Sequence, residues 1–533
     1  MATNDQRPIA VDLFAGAGGM TLGFEQAGFD VLAAVELDPI HASVHEYNFP
    51  FWTTICKSVT EITGREIREL STIGDRDIDV VFGGPPCQGF SMMGKRNFDD
   101  DRNSLVSHFL RLVLDLNPKF FVMENVRGIT IGKHQKILQT IIEEFKSYGY
   151  QVTENYQVLN AAHYGVPQNR RRLFLLGCRQ GFTLPNYPQP LTQPLIQKAL
   201  DSSLKAKAKR GGLGGHPAGL GTAQSVAGTQ SKALPDMRLT PLCSADDGAD
   251  ALYSTRSVVQ PSLQEKYRGL PPTPTVQDAI GDLPEANNYP ELELRDWVIA
   301  DYGQPSEYAS KLRNLTLVDD DYAYQREEAL RGESPLSYLR QSASPIRQRS
   351  CRDAPASPWL SKKRECKPEL LTCSRRTKHT NQTIARFAAT IPGTSDRISH
   401  FHRLDLNGLC TTLRAGTASN HGAFTSPRPI HPLTPRCITV REAARLHSYP
   451  DWFMLHATKW HGFRQIGNSV PPLLAKAVAQ EIIKAMEFIP VRPQQIYCLS
   501  QTELLHFKMS QAEQYHKLET RAIARRTLVK FNE

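Results

Sequence analysis

Long apolar runs are missing from this chain of 533 residues. No uncharged apolar run approaches the ~18 residues that a membrane-spanning helix needs, so the sequence predicts no such span. The opening residues, Met1-Ala2-Thr3-Asn4-Asp5-Gln6-Arg7-Pro8, carry no apolar signal core, and secretion is not expected. Cysteine is sparse. Ten residues scattered over the whole length make no disulfide framework and read as reduced thiols of a cytosolic protein. Cys366 and Cys373 lie close together, but no matching Cys/His pair completes a zinc set, so no metal is expected. Repeats at solenoid period are absent too. What is present is an ordinary globular balance, 40% hydrophobic and 22% charged, which excludes wholesale disorder and fibrous folds.

The net charge of +9 is unevenly spread. Residues 1–180 hold 18 Lys and Arg against 21 Asp and Glu, whereas residues 181–485 hold 38 against 28. A near-neutral front joined to a basic back points to a catalytic part coupled to a part that faces a polyanion. The front alternates short apolar runs with helical patterns. Residues 9–14, 31–35, 79–82 and 120–123 read as strands, and 21–27 and 103–116 as helices. Such alternation predicts an α/β fold, a doubly wound and mostly parallel sheet whose ligands sit at the carboxyl ends of the strands. From 181 to about 400 the pattern weakens. Seven glycines between 211 and 228 read as a flexible insertion, and 342–380 is strongly basic. Regular patterning returns near 436 and runs to about 487, before a helical polar tail.

The distinctive residues fall at the predicted strand ends. Asp12-Leu13-Phe14-Ala15-Gly16-Ala17-Gly18-Gly19 is a glycine loop between a strand and a helix, where backbone can approach a ligand closely. It lacks the Gly-Lys-Ser/Thr end of a triphosphate loop. Glu36 ends the next strand, where a carboxylate can accept both hydroxyls of a ribose. Loop and acid together suggest a nucleoside-containing cofactor. Pro85-Pro86-Cys87 places a rigidly held thiol at a third strand end, and Met123-Glu124-Asn125-Val126 places a carboxyl at a fourth. A thiolate there can add to an electron-poor ring carbon while a protonated Glu124 donates to a ring nitrogen.

With these motifs the chain resembles the DNA cytosine-5 methyltransferases, and the order agrees. Residues 12–19 are similar to the family's S-adenosylmethionine loop, Pro86-Cys87-Gln88 to its nucleophile motif and Glu124-Asn125-Val126 to its Glu-Asn-Val motif. Gln168-Asn169-Arg170-Arg171-Arg172 resembles its Gln-x-Arg-x-Arg motif. Arg436 to Leu446 and Arg464 to Pro472 resemble its last two. The resemblance implies S-adenosyl-L-methionine as cofactor and methyl transfer to C5 of a flipped-out cytosine in double-stranded DNA. Cys87, Glu124, Arg170 and Arg172 would be catalytic, with Arg172 on the base O2. Phe14, Ala15, Gly16, Gly18, Gly19, Glu36, Leu37, Ser58, Pro86, Asn468 and Val470 would hold the cofactor. Gln88, Ser91, Gln168, Arg375, Arg376 and Arg414 would meet DNA. It also implies a division into a catalytic part (1–180), an inserted target recognition domain (181–435), a C-terminal segment returning to the cofactor cleft (436–487) and the tail (488–533). One departure stands out. Where the family carries an Asp for the adenine amino group, this chain has Ser58.

The implied setting is a monomer in the bacterial cytosol, on nucleoid DNA, modifying sites shared with a restriction endonuclease. An orphan regulator would look the same. An RNA cytosine methyltransferase is disfavoured by the long middle region, and a catalytically silent DNA binder by Cys87, Glu124, Arg170 and Arg172. A nicotinamide dehydrogenase explains neither Pro86-Cys87 nor Gly467-Asn468-Ser469.

Overall fold

The computed structural model describes residues 7–86, 105–130, 133–153, 155–195, 267–315, 369–416, 428–489 and 499–518. The chain divides into one compact unit of 1–194 with 269–533 and another of 195–268. Only Leu195, Tyr267 and Arg268 of the second are among the described residues. The glycine-rich stretch 211–228 lies outside them, as does most of the basic stretch 342–380.

The first unit is built on an eight-stranded sheet. In chain order its elements are β1 (Ile9–Leu13), α1 (Gly19–Ala27), β2 (Asp30–Val35), α2 (Pro39–Asn48), β3 (Thr53–Ile55), α3 (Gly64–Leu70), β4 (Val80–Gly83), α4 (Leu105–Leu116), β5 (Phe120–Val126), α5 (Lys133–Ser147), β6 (Tyr150–Val152), β7 (Gln157–Asn160) and β8 (Arg171–Arg179). The spatial order is β3-β2-β1-β4-β5-β8-β6, with β7 also on β8. The first five run parallel, and β8 is antiparallel to its neighbours.

Period-two alternation splits the strand side chains between two cores. Ala10, Val80, Phe82, Phe120 and Val122 face one layer; Val11, Leu13, Val81, Phe121 and Met123 face the other. Phe24 stacks on Phe82 at 3.7 Å in the first, and Phe121 on Phe145 at 4.0 Å in the second. These continuous apolar runs are what a strand buried on both faces requires.

Helix α1 packs on the Pro472–Ala485 helix through Gly23. A methyl group there would lie 2.5 Å from the Ala475 Cβ, so the close approach depends on glycine. Further on, β9 (Val298–Ile299) and β10 (Leu370–Leu371) form a two-stranded sheet over a small core with Ala286, Leu292 and Ala300. The Val440–Leu446 helix ties this region in with buried charge. Arg445 bonds Asp451 at 2.8 and 2.7 Å and Asp282 at 2.5 Å, and Arg436 bridges Glu285 and Glu442. The charged residues of the 436–446 motif are therefore architectural. Segment 499–518, expected as a polar tail, inserts Leu504 and Leu505 into the first core, and the Tyr515 hydroxyl donates to Glu46 on α2 at 2.7 Å. Among the described residues no helix is long and apolar enough to cross a membrane.

Candidate active site

Strand order reverses at β1, which has β2 on one side and β4 on the other, so a crevice opens at the carboxyl ends of these strands. Phe14 leaves β1 at φ 66°, a left-handed conformation that non-glycine residues adopt at a cost of order 1–3 kcal/mol and that clusters at binding sites. The Ala15 N–H donates to the Val35 carbonyl at 3.0 Å, and the Glu36 carboxylate accepts from Gly16 N–H at 2.8 Å and Asp38 N–H at 2.7 Å. Each carboxylate oxygen retains a lone pair for a further donor. Glu36 thus staples the glycine loop to the start of α2, which Asp38 caps. Burial raises the Glu36 pKa, against the backbone donors and His41.

The position a Gly16 side chain would occupy is open space, whereas Gly19 is enclosed. A methyl group on Gly19 would meet the Val470 carbonyl oxygen at 2.5 Å and the Tyr449 hydroxyl at 2.7 Å. The glycine loop and the segment around Val470 therefore form one wall, with Asn468 exposed beside it in sequence; Leu37, next to Glu36, is 44% exposed. Beneath the loop runs a buried polar chain. Thr21 bonds Asp12 at 2.5 Å and His45 at 3.0 Å, and His45 reaches Thr54 at 2.9 Å. Burial holds the Asp12 pKa well above its ordinary value. Ser58 follows β3, but its hydroxyl is turned onto Thr60, 2.7 Å away.

The second half of the crevice is lined by carboxyl and guanidinium. Glu124, buried near the end of β5, pairs with Arg172 Nε at 2.9 Å, and its other oxygen lies against Gly84. Two effects compete on this acid. Burial raises its pKa, Arg172 and Arg170 lower it, and burial wins. The neighbouring Asn125 amide donates to the Pro85 carbonyl at 3.0 Å and so anchors the first residue of the diproline pair. Pro86 is exposed and is the last described residue there; Cys87, Gln88 and Ser91 lie outside the described residues.

Two expectations need correction. Arg170 is not open to a substrate. It is fully buried, and its guanidinium donates to the carbonyls of Leu413 at 2.8 Å and of Gly467 and Ser469 at 2.7 Å. It is a positioning residue that clamps the C-terminal segment to β8. Gln168 does not face DNA either, being fully buried with its amide on the Leu446 carbonyl and His447. Arg376 is paired with Glu293 and Arg375 bonds the Glu293 carbonyl, at a cavity remote in sequence from these loops. Arg414 is exposed. Spacing alone did not reveal the Asn125 anchor or the Asp12 chain, although both lie inside the quoted motifs. Among the described residues no His, Cys, Asp and Glu group could hold a metal ion.

The Arg170 clamp has a measurable consequence. Arg170→Met leaves the buried carbonyls of Leu413 and Gly467 without that donor, each worth about 1–3 kcal/mol, and leaves the Ser469 carbonyl only His447. The urea midpoint should fall by the equivalent of several kcal/mol. A loss below about 1 kcal/mol would mean that 467–469 is held by other contacts.

Comparison with known proteins gives a consistent picture. The family model for C-5 cytosine-specific DNA methylase matches residues 10–231 and 304–484. The chain is 44% identical over 521 residues to the Type II methyltransferase M.XorII of Xanthomonas oryzae pv. oryzae, covering 98% of this chain and 95% of that one. It is 28% identical over 502 residues to M.AgeI of Thalassovita gelatinovora, covering 89% and 98%. Among solved structures, a DNA modification methyltransferase encoded within an E. coli prophage superposes with a TM-score of 0.56 at 27% identity, covering 90% of this chain and 99% of that one.

Proposed function

The chain belongs to the C-5 cytosine-specific DNA methylase family and is a DNA (cytosine-5-)-methyltransferase, and from that premise we propose that it methylates one specific cytosine of duplex DNA through a covalent adduct between Cys87 and a flipped-out base. The observation that carries this reading is the buried Glu124 carboxyl, held by Arg172 and lying against Gly84, which precedes Pro85-Pro86-Cys87 in the sequence. The target atoms of a stacked base are out of reach, so the nucleotide is extruded at a cost of a few kcal/mol. The Cys87 thiolate forms a bond to C6. Protonated Glu124 donates to N3 and offsets the charge that develops on the ring. Arg172 holds the Glu124 carboxyl and takes the base O2. After transfer the C5 proton leaves and the Cys87–C6 bond breaks, returning the thiolate.

The residues fit S-adenosyl-L-methionine as the cofactor. Glu36 has lone pairs left for two ribose hydroxyls, the Gly16 backbone borders open space, and the partly buried Phe14 and exposed Leu37 adjoin the loop and Glu36 in sequence as apolar surface. When bound, the cofactor supplies an electrophilic methyl group. Ala15, Gly18, Gly19, Pro86, Asn468 and Val470 complete the proposed cleft, and Ser58 stands where an adenine contact is needed. Ser58→Asp should tighten cofactor binding by about 1 kcal/mol, the worth of one charge-assisted hydrogen bond to the adenine amino group. Calorimetry reads it directly, and unchanged or weaker binding would show that another group fills that role.

We assign target choice to 181–435, and the chemistry to 1–180 with 436–487. The relatives are named Type II methyltransferases, which supports modification of sites shared with a restriction endonuclease; we place the protein as a monomer in the bacterial cytosol. Bisulfite sequencing of DNA from cells expressing the protein tests the reading. Protection of one cytosine within one short sequence is expected. Labelled methyl appearing on tRNA and not on duplex DNA would reverse the substrate.

A further inference from the structure

One strongly charged feature takes no part in the chemistry above. Where the Lys459–Asn468 helix begins, a cavity of about 400 Å³ is lined by five cations, Arg375, Arg376, Lys378, Arg428 and Lys459, against one carboxylate, Glu293. Trp460, 40% exposed, forms part of its wall. The helix opens into it without a side-chain cap at Thr458, so its first N–H groups add partial positive charge.

Contacts among the described residues do not neutralise this group. Glu293 pairs with Arg376 alone, and the buried Arg376 Nε has no hydrogen-bond partner among the described residues. Lys459 donates to the Arg376 carbonyl at 2.9 Å and to the Thr377 hydroxyl at 3.0 Å, both neutral acceptors. Arg428 lies over the Phe463 ring, and Lys378 is exposed with no ion pair among the described residues. Burial, with Arg428 and Arg375 nearby, holds the Lys459 pKa below its ordinary value. By contrast, Arg445 has two aspartates and Arg436 two glutamates. A cluster of like charges left without counter-charge is costly unless an anion completes it.

We propose that this cavity is a phosphate socket that takes a backbone phosphodiester of the DNA duplex at a distance from the methylated cytosine, with Trp460 against the adjoining sugar or base. The inference rests on duplex DNA being the substrate. The helix runs from Lys459 at the cavity to Asn468 at the cofactor cleft, about 14 Å at 1.5 Å per residue. At 3.4 Å per base pair the phosphate lies roughly four or more base pairs from the target. Such a phosphate reads no base and fixes the register of the duplex.

The test uses the full chain and the double variant Lys378→Gln/Arg428→Gln, with duplexes of about 24 and about 6 base pairs around the methylated site. The long duplex should bind roughly tenfold more weakly, with a log–log salt slope smaller by about 0.9 for each phosphate no longer neutralised. The short duplex, which cannot reach the socket, should bind as to the parent. Lys378→Gln alone, at an exposed side chain, should show the same trend with an unchanged melting temperature, and Glu293→Gln should shift affinity the other way. An unchanged slope on the long duplex, or equal weakening on both, overturns the proposal. Inorganic tripolyphosphate separates the sources. If it binds the parent and not the double variant while the long duplex fails to displace it, the socket serves free phosphates and the duplex assignment is wrong. A parent protein that transfers no labelled methyl to any duplex would instead sink the substrate reading, and this inference with it.

Discussion

Glu124→Gln should slow methyl transfer by about 10²–10⁴, the usual size of a general-acid contribution, while cofactor affinity stays within a few-fold. Glutamine keeps the shape of the side chain and can still accept from Arg172, so packing against Gly84 survives. It has no proton to give to N3. The effect depends on which form of Glu124 is available near neutrality. Burial raises its pKa and outweighs the opposing charges of Arg172 and Arg170. The protonated acid therefore persists to higher pH than an exposed glutamate would allow. The step should fail as pH climbs through that raised value, giving an alkaline limb that the Gln variant lacks. Stability carries the same sign. The folded state binds the proton more tightly than the unfolded chain, so this contribution is full below the unfolded pKa and is lost as pH rises through the folded one. Single-turnover rates on duplex DNA across pH decide the matter. A Gln variant within a few-fold of the parent, or one that keeps the alkaline limb, would remove Glu124 from proton transfer.

The legible part of this fold is the part whose physics is local. A parallel strand buried on both faces must be apolar throughout, so Val80-Val81-Phe82 and Phe120-Phe121-Val122-Met123 announce themselves. A glycine loop and a terminal acid are likewise visible, because only glycine tolerates the conformation at Gly18 (φ 100°). Roles that depend on distant partners are not legible. Arg170 and Arg172 are two apart and would share a face if both lay in β8. The chain at Gln168–Asn169 is instead drawn to Cys410, with the Asn169 N–H on the Cys410 carbonyl, so Arg170 meets Leu413, Gly467 and Ser469. Those partners lie some 240 to 300 positions onward. The basic socket is hidden for the same reason, since its cations come from 375–378, 428 and 459. In the tail, Leu504 and Leu505 are too few to make a periodic pattern, yet the Ala457 N–H on the Leu505 carbonyl fixes them against the body.

Cys87→Ser should abolish turnover and leave duplex affinity near that of the parent. Addition to C6 needs an anion of low basicity, and at neutral pH the serine alkoxide is far scarcer than a cysteine thiolate. No rearrangement of neighbours compensates, because the difference lies in the acidity of the side chain itself. The segment leading into it is held from outside: the Asn125 amide donates to the Pro85 carbonyl, a contact that the substitution does not touch. Binding draws on phosphate contacts that the substitution does not touch. Rate and affinity should therefore separate cleanly. A duplex carrying 5-fluorocytosine at the target makes the test chemical. In the parent, the thiolate adds to C6 and the methyl group reaches C5, but the fluorine there cannot leave as a proton does. The Sγ–C6 bond then cannot break by elimination, and protein and DNA should run as one species in denaturing gels. The Ser variant should show none of this species at any incubation time that saturates the parent. An adduct formed by Cys87→Ser would move the nucleophile elsewhere. A parent that turns over normal duplex without ever being trapped would mean that C5 is activated without covalent addition, and Glu124 alone would then have to supply the activation.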